Sequence, residues 1–423
     1  MRVLVLGTNY IPEKTAVAPF ATGLCEHLVS QGHEVEIITA FPYYPEWRVW
    51  DGYRGRLHLK ERIKNVALRR VWHYVPTQGS NLLQRLTHDL SFTLSAFFAG
   101  LFAGSSDVIL CVCPPPTLAL TAYLLAKIRK NPFVIVLTDL ASDAAVATGI
   151  MKDGLFVGAA RGLEGFVYRK SDRIVCICRG FVERLTARGV APSKLLLIHL
   201  WGDTHQVYPI AGATKFRAEN QLAGQDFLVM HTGNMGKKQD LLNVVQAAEL
   251  SQDLPHLVWL LVGQGEERAV LEEAINQRKL RNIRLLPLQP AEGLAEMYSA
   301  ADVLLVNQRA AIVDSVIPSK LLTYMAAGRP VLAAVSDESE TARYIARAQC
   351  GLIVHPQDPK ALVEAVLLLR GNPALREQCG VSGRVHVLQH FAKEKILHEY
   401  DPLFSRYVVQ APAEAPKKVV VTS

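Results

Sequence analysis

Short apolar runs alternate with helical stretches along this chain, and the runs form two sets. The first set is VLVLG, VEIIT, VILCVC, FVIVL, RIVCI and LLLIHL, and the second is FLVMHTG, VWLLVG, IRLLPL, DVLLV, PVLAA and GLIV. Strands that are apolar throughout and separated by helices are typical of parallel sheets with both faces covered. Each set opens with a strand that leads into a turn and then a helix. The sequence therefore predicts an α/β protein with two Rossmann-like, doubly wound parallel-sheet domains.

The length of 423 residues agrees with this organisation, because a domain averages about 150 residues. We place the joint within residues 201–210, and predict an N-terminal domain over residues 1–203 and a C-terminal domain over residues 204–390. Residues 391–423 are expected to form a helix that packs back across the cleft between the domains, followed by a disordered tail. The final segment APAEAPKKVVVTS has little periodicity, which favours disorder.

Nothing in the sequence indicates export. The N-terminal run MRVLVLG is too short for a secretory signal and has no cleavage site, so we expect a cytoplasmic protein. The seven cysteines include two pairs spaced two residues apart inside apolar runs, which places both members of a pair on one strand face. We interpret them as reduced core residues. A zinc site would need a wider gap and nearby His, so no metal is predicted.

A glycine-rich turn, HTGNMGKKQD, follows the first strand of the second set and precedes the helix DLLNVVQAAEL. Gly233 and Gly236 allow a phosphate to approach the backbone, and the start of the helix offers free N–H groups. Lys237 and Lys238 add positive charge, whereas His231 is interpreted as structural. The turn is neither GxGxxG nor GxxxxGK[ST], so neither a dinucleotide fingerprint nor a P-loop is predicted. An ordinary turn with two solvated lysines is the alternative.

A second anion-binding turn lies within DSVIPSKLLTYMAAGRPV, residues 314–331. Pro318 and Ser319 open a helix there, with Lys320 in its first turn. Two such turns in one domain predict a diphosphate ligand. The turn GQG, which ends at Gly265 after the strand VWLLV, is a third place of close approach and is expected to border a base or ribose.

These motifs resemble a known family. In this order and spacing, GNMGKKQ, VGQGEE and PSKLLTYMAAGRPV resemble the donor half of glycosyltransferase family 4. In the N-terminal half, the segment from IPEKTAVAPF to WDGYRG and the segment VIVLTDLASDAAVATGIM resemble its WcaI-type branch, which serves exopolysaccharide and colanic acid biosynthesis. The resemblance covers nearly the whole chain. It implies the GT-B fold, in which two Rossmann-like domains face a cleft, the first holding the acceptor and the second a nucleotide-sugar.

The resemblance also implies a retaining hexosyltransferase that uses no metal ion or other cofactor. By motif position, Lys238 would contact the diphosphate, and Ser319, Lys320 and Leu322 would line the other side of the site. The complete set of implied donor-binding residues is Gly233, Asn234, Gly236, Lys237, Lys238, Gln239, Gly265, Ser319, Lys320, Leu322 and Thr323.

The chain departs from the family pattern at several positions. Ser315 and Thr323 stand where the wider family carries the two acids of a Glu-x7-Glu motif, and Ala16 stands where members often have Gly. Thr138 precedes Asp139 where many relatives have His. These departures weaken a catalytic assignment. They leave open a non-catalytic nucleotide-sugar-binding or scaffold subunit, and a nucleotide-sugar epimerase of the same fold.

Two carboxylates follow the strand FVIVL in the first domain. Asp139 and Asp143 lie at its carboxyl end, where open α/β sheets bind ligands, and they are the candidate catalytic residues. A helix-capping or turn role is the alternative for both. Glu13, Thr15 and Ala16 follow the first strand and are predicted to form the loop that faces the acceptor and the diphosphate.

Residues 47–72 form a basic stretch rich in tryptophan. Between Glu46 and His73 there are eight Lys or Arg and three acids, which gives +5 of the chain's net +7. Trp47 and two further tryptophans alternate with arginines there, a composition that suits an anionic membrane surface or a lipid-linked saccharide acceptor. We therefore predict a peripheral protein at the inner face of the plasma membrane. No nucleic-acid module is recognisable, so a nucleic-acid partner is not predicted, and a solvated loop is the remaining alternative.

The longest apolar segment, LSFTLSAFFAGLFAG, has 15 residues, whereas a membrane span needs about 20. It is therefore predicted not to cross a bilayer. Together with the preceding turn it shows apolar residues at helical spacing, namely Leu82, Leu86, Leu90, Leu94, Phe97 and Leu101. We favour a buried helix, with shallow membrane contact as the alternative.

Overall fold

The structure is a computed structural model of the chain. It describes residues 1–14, 17–77, 82–147, 154–212, 215–310 and 319–408. The predictions for Thr15, Ala16, Ser315 and the tail after residue 408 fall outside the described residues, as does the side chain of Ser319.

The N-terminal half contains a parallel sheet that is extended at one edge by an antiparallel strand. Its strands are β1 (Arg2–Leu6), β2 (Glu34–Ala40), β3 (His58–Ile63), β4 (Val66–Val71), β5 (Val108–Cys113), β6 (Phe133–Leu137), β7 (Arg173–Cys176) and β8 (Leu195–Leu197). Its helices are α1 (Ala18–Ser30), α2 (Leu82–Leu101), α3 (Pro116–Arg129), α4 (Ala141–Ala147), α5 (Leu155–Lys170) and α6 (Arg179–Ala187). The strand order is β3-β4-β2-β1-β5-β6-β7-β8. The central strands β5 and β6 are buried along their whole length, as expected for a sheet covered on both faces.

The C-terminal half contains a second sheet, with all its pairings parallel. Its strands are β9 (Phe227–Asn234), β10 (Leu257–Gln264), β11 (Ile283–Leu286), β12 (Val303–Asn307), β13 (Val331–Ala334) and β14 (Gly351–Val354). Its helices are α7 (Lys215–Glu219), α8 (Leu242–Leu250), α9 (Arg268–Gln277), α10 (Leu294–Ala300), α11 (Ser319–Ala326), α12 (Glu340–Ala348), α13 (Pro359–Gly371) and α14 (Pro373–His390). The order β11-β10-β9-β12-β13-β14 is that of a Rossmann fold. Its direction reverses between β9 and β12, so the carboxyl ends of these two strands flank the crevice where such sheets bind ligands.

Residues 58–71 of the basic stretch form a β-hairpin rather than a loop, which corrects the sequence-based expectation for this part. Strands β3 and β4 pair antiparallel with Ile63 opposite Val66, and β4 continues the sheet next to β2. The two turn residues, Lys64 and Asn65, have φ angles of +47° and +65°. Positive φ at both central residues is typical of the two-residue turns whose twist matches the strands they join.

The last described helices return to the first domain. They are α15 (Lys393–His398) and α16 (Asp401–Val408). Ala392 forms a bridge with Gly202, and the side chain of Asp401 lies 2.7 Å from His27 Nε2 on α1. The C-terminal helices thereby tie the two halves of the molecule together.

Two further features bear on the sequence analysis. All seven cysteines are buried and carry no disulfide. Among the described residues, no helix combines the length and the apolar content that crossing a membrane requires.

Candidate functional site

The turn after β9 is held in place from a neighbouring strand. Asn307, fully buried at the end of β12, donates two hydrogen bonds from Nδ2, to the carbonyl oxygens of Gln239 at 2.7 Å and Asp240 at 2.9 Å. Its Oδ1 accepts a hydrogen bond of 2.9 Å from Asn243 at the start of α8. Asn307 therefore fixes the backbone on the carboxyl side of Lys238. Sequence analysis did not single it out, although a polar residue at the end of the apolar run DVLLV was a detectable signal.

The GQG turn after β10 lies directly against the same loop. A Cβ atom on Gly263 would come within 1.8 Å of the carbonyl oxygen of Gly233, and one on Gly265 within 2.4 Å of that of Met235. Both glycines are therefore required by the close approach of the two backbones. Contact between Gly265 and a base or ribose stays a prediction.

Lys320, in the first turn of α11, reaches underneath the glycine-rich turn. Its Nζ donates to Gln239 Oε1 at 2.9 Å and to His231 Nε2 at 3.2 Å. Burial lowers the pKa of Lys320 to about 7. Near neutral pH, this amine is therefore poised between its neutral and charged forms.

His231 is the buried partner that orients this lysine. Its Nδ1 donates to the carbonyl oxygen of Leu305 at 3.1 Å, which leaves Nε2 as an acceptor for Lys320. Burial lowers the pKa of His231 well below its ordinary value, and the nearby Lys320 acts in the same direction. The ring is therefore neutral. The interpretation of His231 as structural is compatible with this position, and the contact with Lys320 gives it a place in the site.

A buried network joins α11 to β9 and so holds this helix against the strand that leads into the glycine-rich turn. The hydroxyl of Tyr324 accepts a hydrogen bond of 2.9 Å from the backbone N–H of Thr232, and Thr232 Oγ1 lies 3.1 Å from the hydroxyl of Tyr298. Leu322 is buried beside Gly202, and Thr323 is half-buried. In the turn itself, Lys237 and Asn234 are exposed and Gly236 is buried.

Asp139 faces this cluster from the first domain. Its Oδ2 lies 3.5 Å from Nζ of Lys238. Burial raises the pKa of the Asp139 carboxyl, and the charge of Lys238 opposes that rise. Candidates from both domains, Asp139 and Lys238, thus meet in one cleft.

Asp143 is engaged elsewhere. Its carboxylate oxygens lie 2.6 Å from Arg188 NH2 and 3.0 Å from Arg184 NH1, both of which belong to the region of α6, and 3.8 Å from Arg161 on α5. Its side chain is only 9% exposed. These ion pairs join α4 to α5 and to the region of α6, a role that sequence analysis did not consider. A catalytic role for Asp143 stays a prediction, and Asp139 is the carboxylate that faces the cleft.

The carboxylate of Glu13 is also occupied by hydrogen bonds within the protein. Its Oε1 accepts hydrogen bonds of 2.8 Å from the backbone N–H groups of both Tyr43 and Tyr44, and its Oε2 accepts one of 3.0 Å from Asn9. Burial raises the pKa of Glu13, and these hydrogen bonds act against the rise. The residue therefore anchors the loop after β2 next to the predicted acceptor loop.

Within the described ranges, one group of side chains has potential metal-ligand atoms that lie close together. His27, His398 and Asp401 bring their ligand atoms within 4.8 Å of one another. They lie at the opposite end of α1 from Glu13 and connect α1 to the C-terminal helices. The hydrogen bonds of Asp401 with His27 and His398, 2.7 and 2.8 Å long, already account for this grouping.

Known protein families match both halves of the chain. Residues 15–201 match the family model described as "Glycosyl transferase 4-like domain", and residues 213–386 match that of "Glycosyl transferases group 1". The chain is 32% identical over 392 residues to the protein of Escherichia coli (strain K12) named as colanic acid biosynthesis glycosyl transferase WcaI, covering 89% of this chain and 95% of that protein.

Solved structures show the same architecture. Sucrose-phosphate synthase from Thermosynechococcus elongatus matches with a TM-score of 0.77 and 19% identity, over 97% of this chain and 100% of that one. HepE of Anabaena in complex with UDP-glucose matches with a TM-score of 0.71 and 15% identity, over 96% and 100%. These likenesses confirm the predicted fold, two parallel-sheet α/β domains of the GT-B type. The two matched family models and the relative in Escherichia coli show that the chain belongs to glycosyltransferase family 4.

Proposed function

We propose that this glycosyltransferase is a retaining hexosyltransferase that moves a sugar from a nucleotide-sugar to a lipid-linked saccharide during exopolysaccharide synthesis. The observation that carries the proposal is the convergence of Lys238 and Lys320 on the turn after β9, opposite Asp139. The turn lies at the point where the strand order of the second sheet reverses. The structure of HepE with UDP-glucose supports a nucleotide-sugar as the donor, and the name of the relative in Escherichia coli supports a role in a surface polysaccharide.

The two lysines provide the chemistry that sugar transfer needs. As the bond between the sugar and the diphosphate breaks, negative charge grows on the departing diphosphate. Groups that already point at this charge stabilise the transition state without reorganisation. Lys238 reaches the diphosphate from the turn and Lys320 from the first turn of α11, so the positive charge is supplied without a metal ion.

The acceptor is bound from the first domain. Its hydroxyl attacks the face of the sugar that the diphosphate leaves, and its proton passes to the departing diphosphate oxygen, so the anomeric configuration is retained. Asp139 lies on the acceptor side of the cleft, next to Lys238, and is the candidate for contact with the sugar or the attacking hydroxyl.

We place the reaction at the inner face of the plasma membrane, with the protein bound peripherally from the cytoplasm. A lipid-linked acceptor keeps its polar end at the membrane surface, so an enzyme with an acceptor cleft open to that surface meets its substrate there. No nucleic-acid partner is proposed.

The test is a two-stage assay on pure protein. A thermal-shift screen with UDP-, GDP-, dTDP- and ADP-sugars identifies the donor, because a ligand at 100 times its Kd stabilises by about 2.7 kcal/mol. Transfer from that donor to a lipid-linked saccharide is then followed by mass spectrometry, and NMR reads the anomeric configuration of the product. A protein that binds the donor but neither transfers its sugar nor slowly hydrolyses it would be a non-catalytic subunit. Interconversion of the free nucleotide-sugar would indicate an epimerase.

A further inference from the structure

Helix α2 turns an apolar stripe outward. Residues at intervals of three and four along it are exposed by 39% to 72%, namely Leu83, Leu86, Leu90, Leu94, Phe98 and Leu101. Residues spaced in this way share one face of a helix. The opposite face packs inward, with Phe92 and Ala96 fully buried. The expectation of a buried stripe is therefore wrong for Leu86, Leu90, Leu94 and Leu101. Phe97 is half-buried against the core, and the side chain of Leu82 lies outside the described residues.

The apolar surface continues onto the neighbouring helices. α3 lies beside α2, with Thr93 and Thr117 joined by a 3.0 Å hydrogen bond between their hydroxyls. On α3, Leu124 is 41% and Ile128 59% exposed. Phe166 on α5 is also exposed, and its ring centroid lies 5.5 Å from that of Tyr123 on α3. We call the exposed faces of α2, α3 and α5 the three-helix face.

The charges on the three-helix face have one sign. The three helices contain two acids, Asp89 and Glu164. Glu164 is 1% exposed and bonded to Ser142, while burial raises the pKa of the half-buried Asp89 to about 7. Lys127 and Lys170, by contrast, are exposed beside the aromatic rings of Tyr123 and Phe166. Apolar side chains flanked by lysines, with both acids withdrawn, are complementary to a layer of anionic lipid headgroups over hydrocarbon.

The basic stretch over residues 47–72 was predicted to contact the membrane. In the structure, some of its side chains form ion pairs or ring contacts within the protein. Arg69 pairs with Glu36 at 2.7 Å, and the fully buried Arg70 pairs with Glu61 on the adjacent strand. The ring of Trp47 packs against Tyr43, Tyr44 and His88. Ion pairing therefore occupies Arg69 and Arg70, and ring packing holds Trp47 against the protein, so these three side chains cannot provide the attraction expected of them.

We propose that the three-helix face is the membrane-docking surface of this protein and that it lies on a bilayer containing anionic phospholipid. This inference rests on the proposed lipid-linked acceptor and adds the surface that brings the enzyme to it. The N-terminal end of α2 lies at the cleft, where Arg85 NH2 is 3.8 Å from Glu266 of the second domain. Docking through α2 therefore brings the mouth of the cleft to the membrane. A second copy of the chain is disfavoured as the occupant, because a symmetric pairing would bring together two faces that carry the same sign of charge.

The experiment compares vesicle binding by the full-length protein and by two surface variants. Cosedimentation is measured with phosphatidylcholine vesicles and with vesicles that also contain phosphatidylglycerol. The double variant Leu94→Gln/Phe98→Gln should bind the anionic vesicles about tenfold or more weakly, because two large apolar side chains no longer enter the bilayer. Lys127→Gln/Lys170→Gln should lose the preference for anionic vesicles, and raised salt should have the same effect on the unaltered protein.

Two matched variants serve as controls. Leu368→Gln removes a leucine that is 54% exposed on α13 of the second domain, and Arg54→Gln/Arg56→Gln removes charge from the basic stretch. Both should bind vesicles as the unaltered protein does. The thermal shift given by a soluble nucleotide-sugar should be the same for all variants, which separates a failure of docking from a failure of the proposed function or of folding.

Three results would overturn the proposal. They are equal or absent binding to both kinds of vesicle, unchanged binding by Leu94→Gln/Phe98→Gln, and a dimer in solution that this variant converts to monomer. The last result would assign the face to a second copy of the chain.

Discussion

Lys238 and Asp139 lie opposite each other across the cleft, with Nζ of the lysine 3.5 Å from Oδ2 of the aspartate, although 99 residues separate them in the chain. The two side chains are 29% and 27% exposed, so solvent screens the pair and its contribution to stability is small. Its consequence is positional. Asp139 holds Lys238 in the cleft, so a diphosphate that binds there, as we propose, would compete with the carboxylate for the lysine.

The first prediction concerns the lysine of this pair. Lys238→Ala should weaken donor binding about 10- to 150-fold, or about 1.5 to 3 kcal/mol, the scale of a charge-assisted hydrogen bond. Isothermal titration calorimetry measures the affinity. Lys360→Ala, which removes an exposed lysine from α13, should bind the donor normally. Equal affinities for the two variants would move the diphosphate site away from Lys238.

The second prediction is that substitution of the aspartate raises donor affinity, whereas substitution of the lysine lowers it. Asp139→Asn removes the group that competes with the diphosphate for Lys238, so donor affinity should rise by about two- to fivefold, the range of a partly exposed ion pair. Turnover should fall, because the acceptor side of the cleft loses its carboxylate. The affinity comes from calorimetry and the turnover from the transfer assay. Weaker donor binding by this variant would show that Asp139 does not compete for the lysine.

The third prediction is a pH dependence caused by Lys320. Burial brings its pKa from 10.5 to about 7 in the free protein, and a bound diphosphate favours the charged form and raises the pKa again. Above pH 7, donor binding must therefore take up a proton. The affinity should be constant below pH 7 and fall by up to about tenfold per pH unit above it.

Calorimetry at pH 8, in two buffers with different ionisation enthalpies, measures this proton uptake directly. The matched variant is Lys320→Arg, whose guanidinium stays charged throughout. Its donor affinity should be independent of pH over the same range. A similar fall in affinity for both proteins would assign the titration to another group.

The fourth prediction tests the residue that positions the turn. Asn307→Ala leaves the carbonyl groups of Gln239 and Asp240 without their buried donor, and should reduce the free energy of unfolding by about 2 to 4 kcal/mol. Donor affinity should fall as well, because the turn that carries Lys238 is no longer fixed. Denaturant titration and calorimetry measure the two effects. Asn276→Ala on the exposed face of α9 should change the unfolding free energy by less than about 0.5 kcal/mol, and a loss as small for Asn307→Ala would refute the positioning role.

The fifth prediction concerns metal ions. Because Lys238 and Lys320 supply the positive charge for the diphosphate, sugar transfer should proceed at the same rate in excess EDTA, and the product should keep the anomeric configuration of the donor. Rate measurement with and without chelator, followed by NMR of the product, checks both points. Loss of activity with EDTA and its recovery with magnesium or manganese would contradict the proposal.

Local patterns in the sequence determined much of this protein. All the apolar runs of both sets contain strands, and central ones such as β5 and β6 are apolar along their whole length because both of their faces are buried. The turn with Gly233 and the helix that begins at Ser319 were recognisable for a related reason, since close backbone approach and the start of a helix depend on residues adjacent in the chain. The β3–β4 hairpin was missed because its short alternating segment is dominated by charged residues.

Only the tertiary structure decided which side chains meet. Asp139 and Asp143 follow the same strand, yet one faces Lys238 and the other pairs with Arg184 and Arg188, because the direction in which each side chain points depends on helices placed far along the chain. The leucine stripe of α2 was visible in the sequence, but its outward direction was not. Periodicity shows that apolar residues share one face of a helix, and whether protein or solvent covers that face depends on where the helix packs.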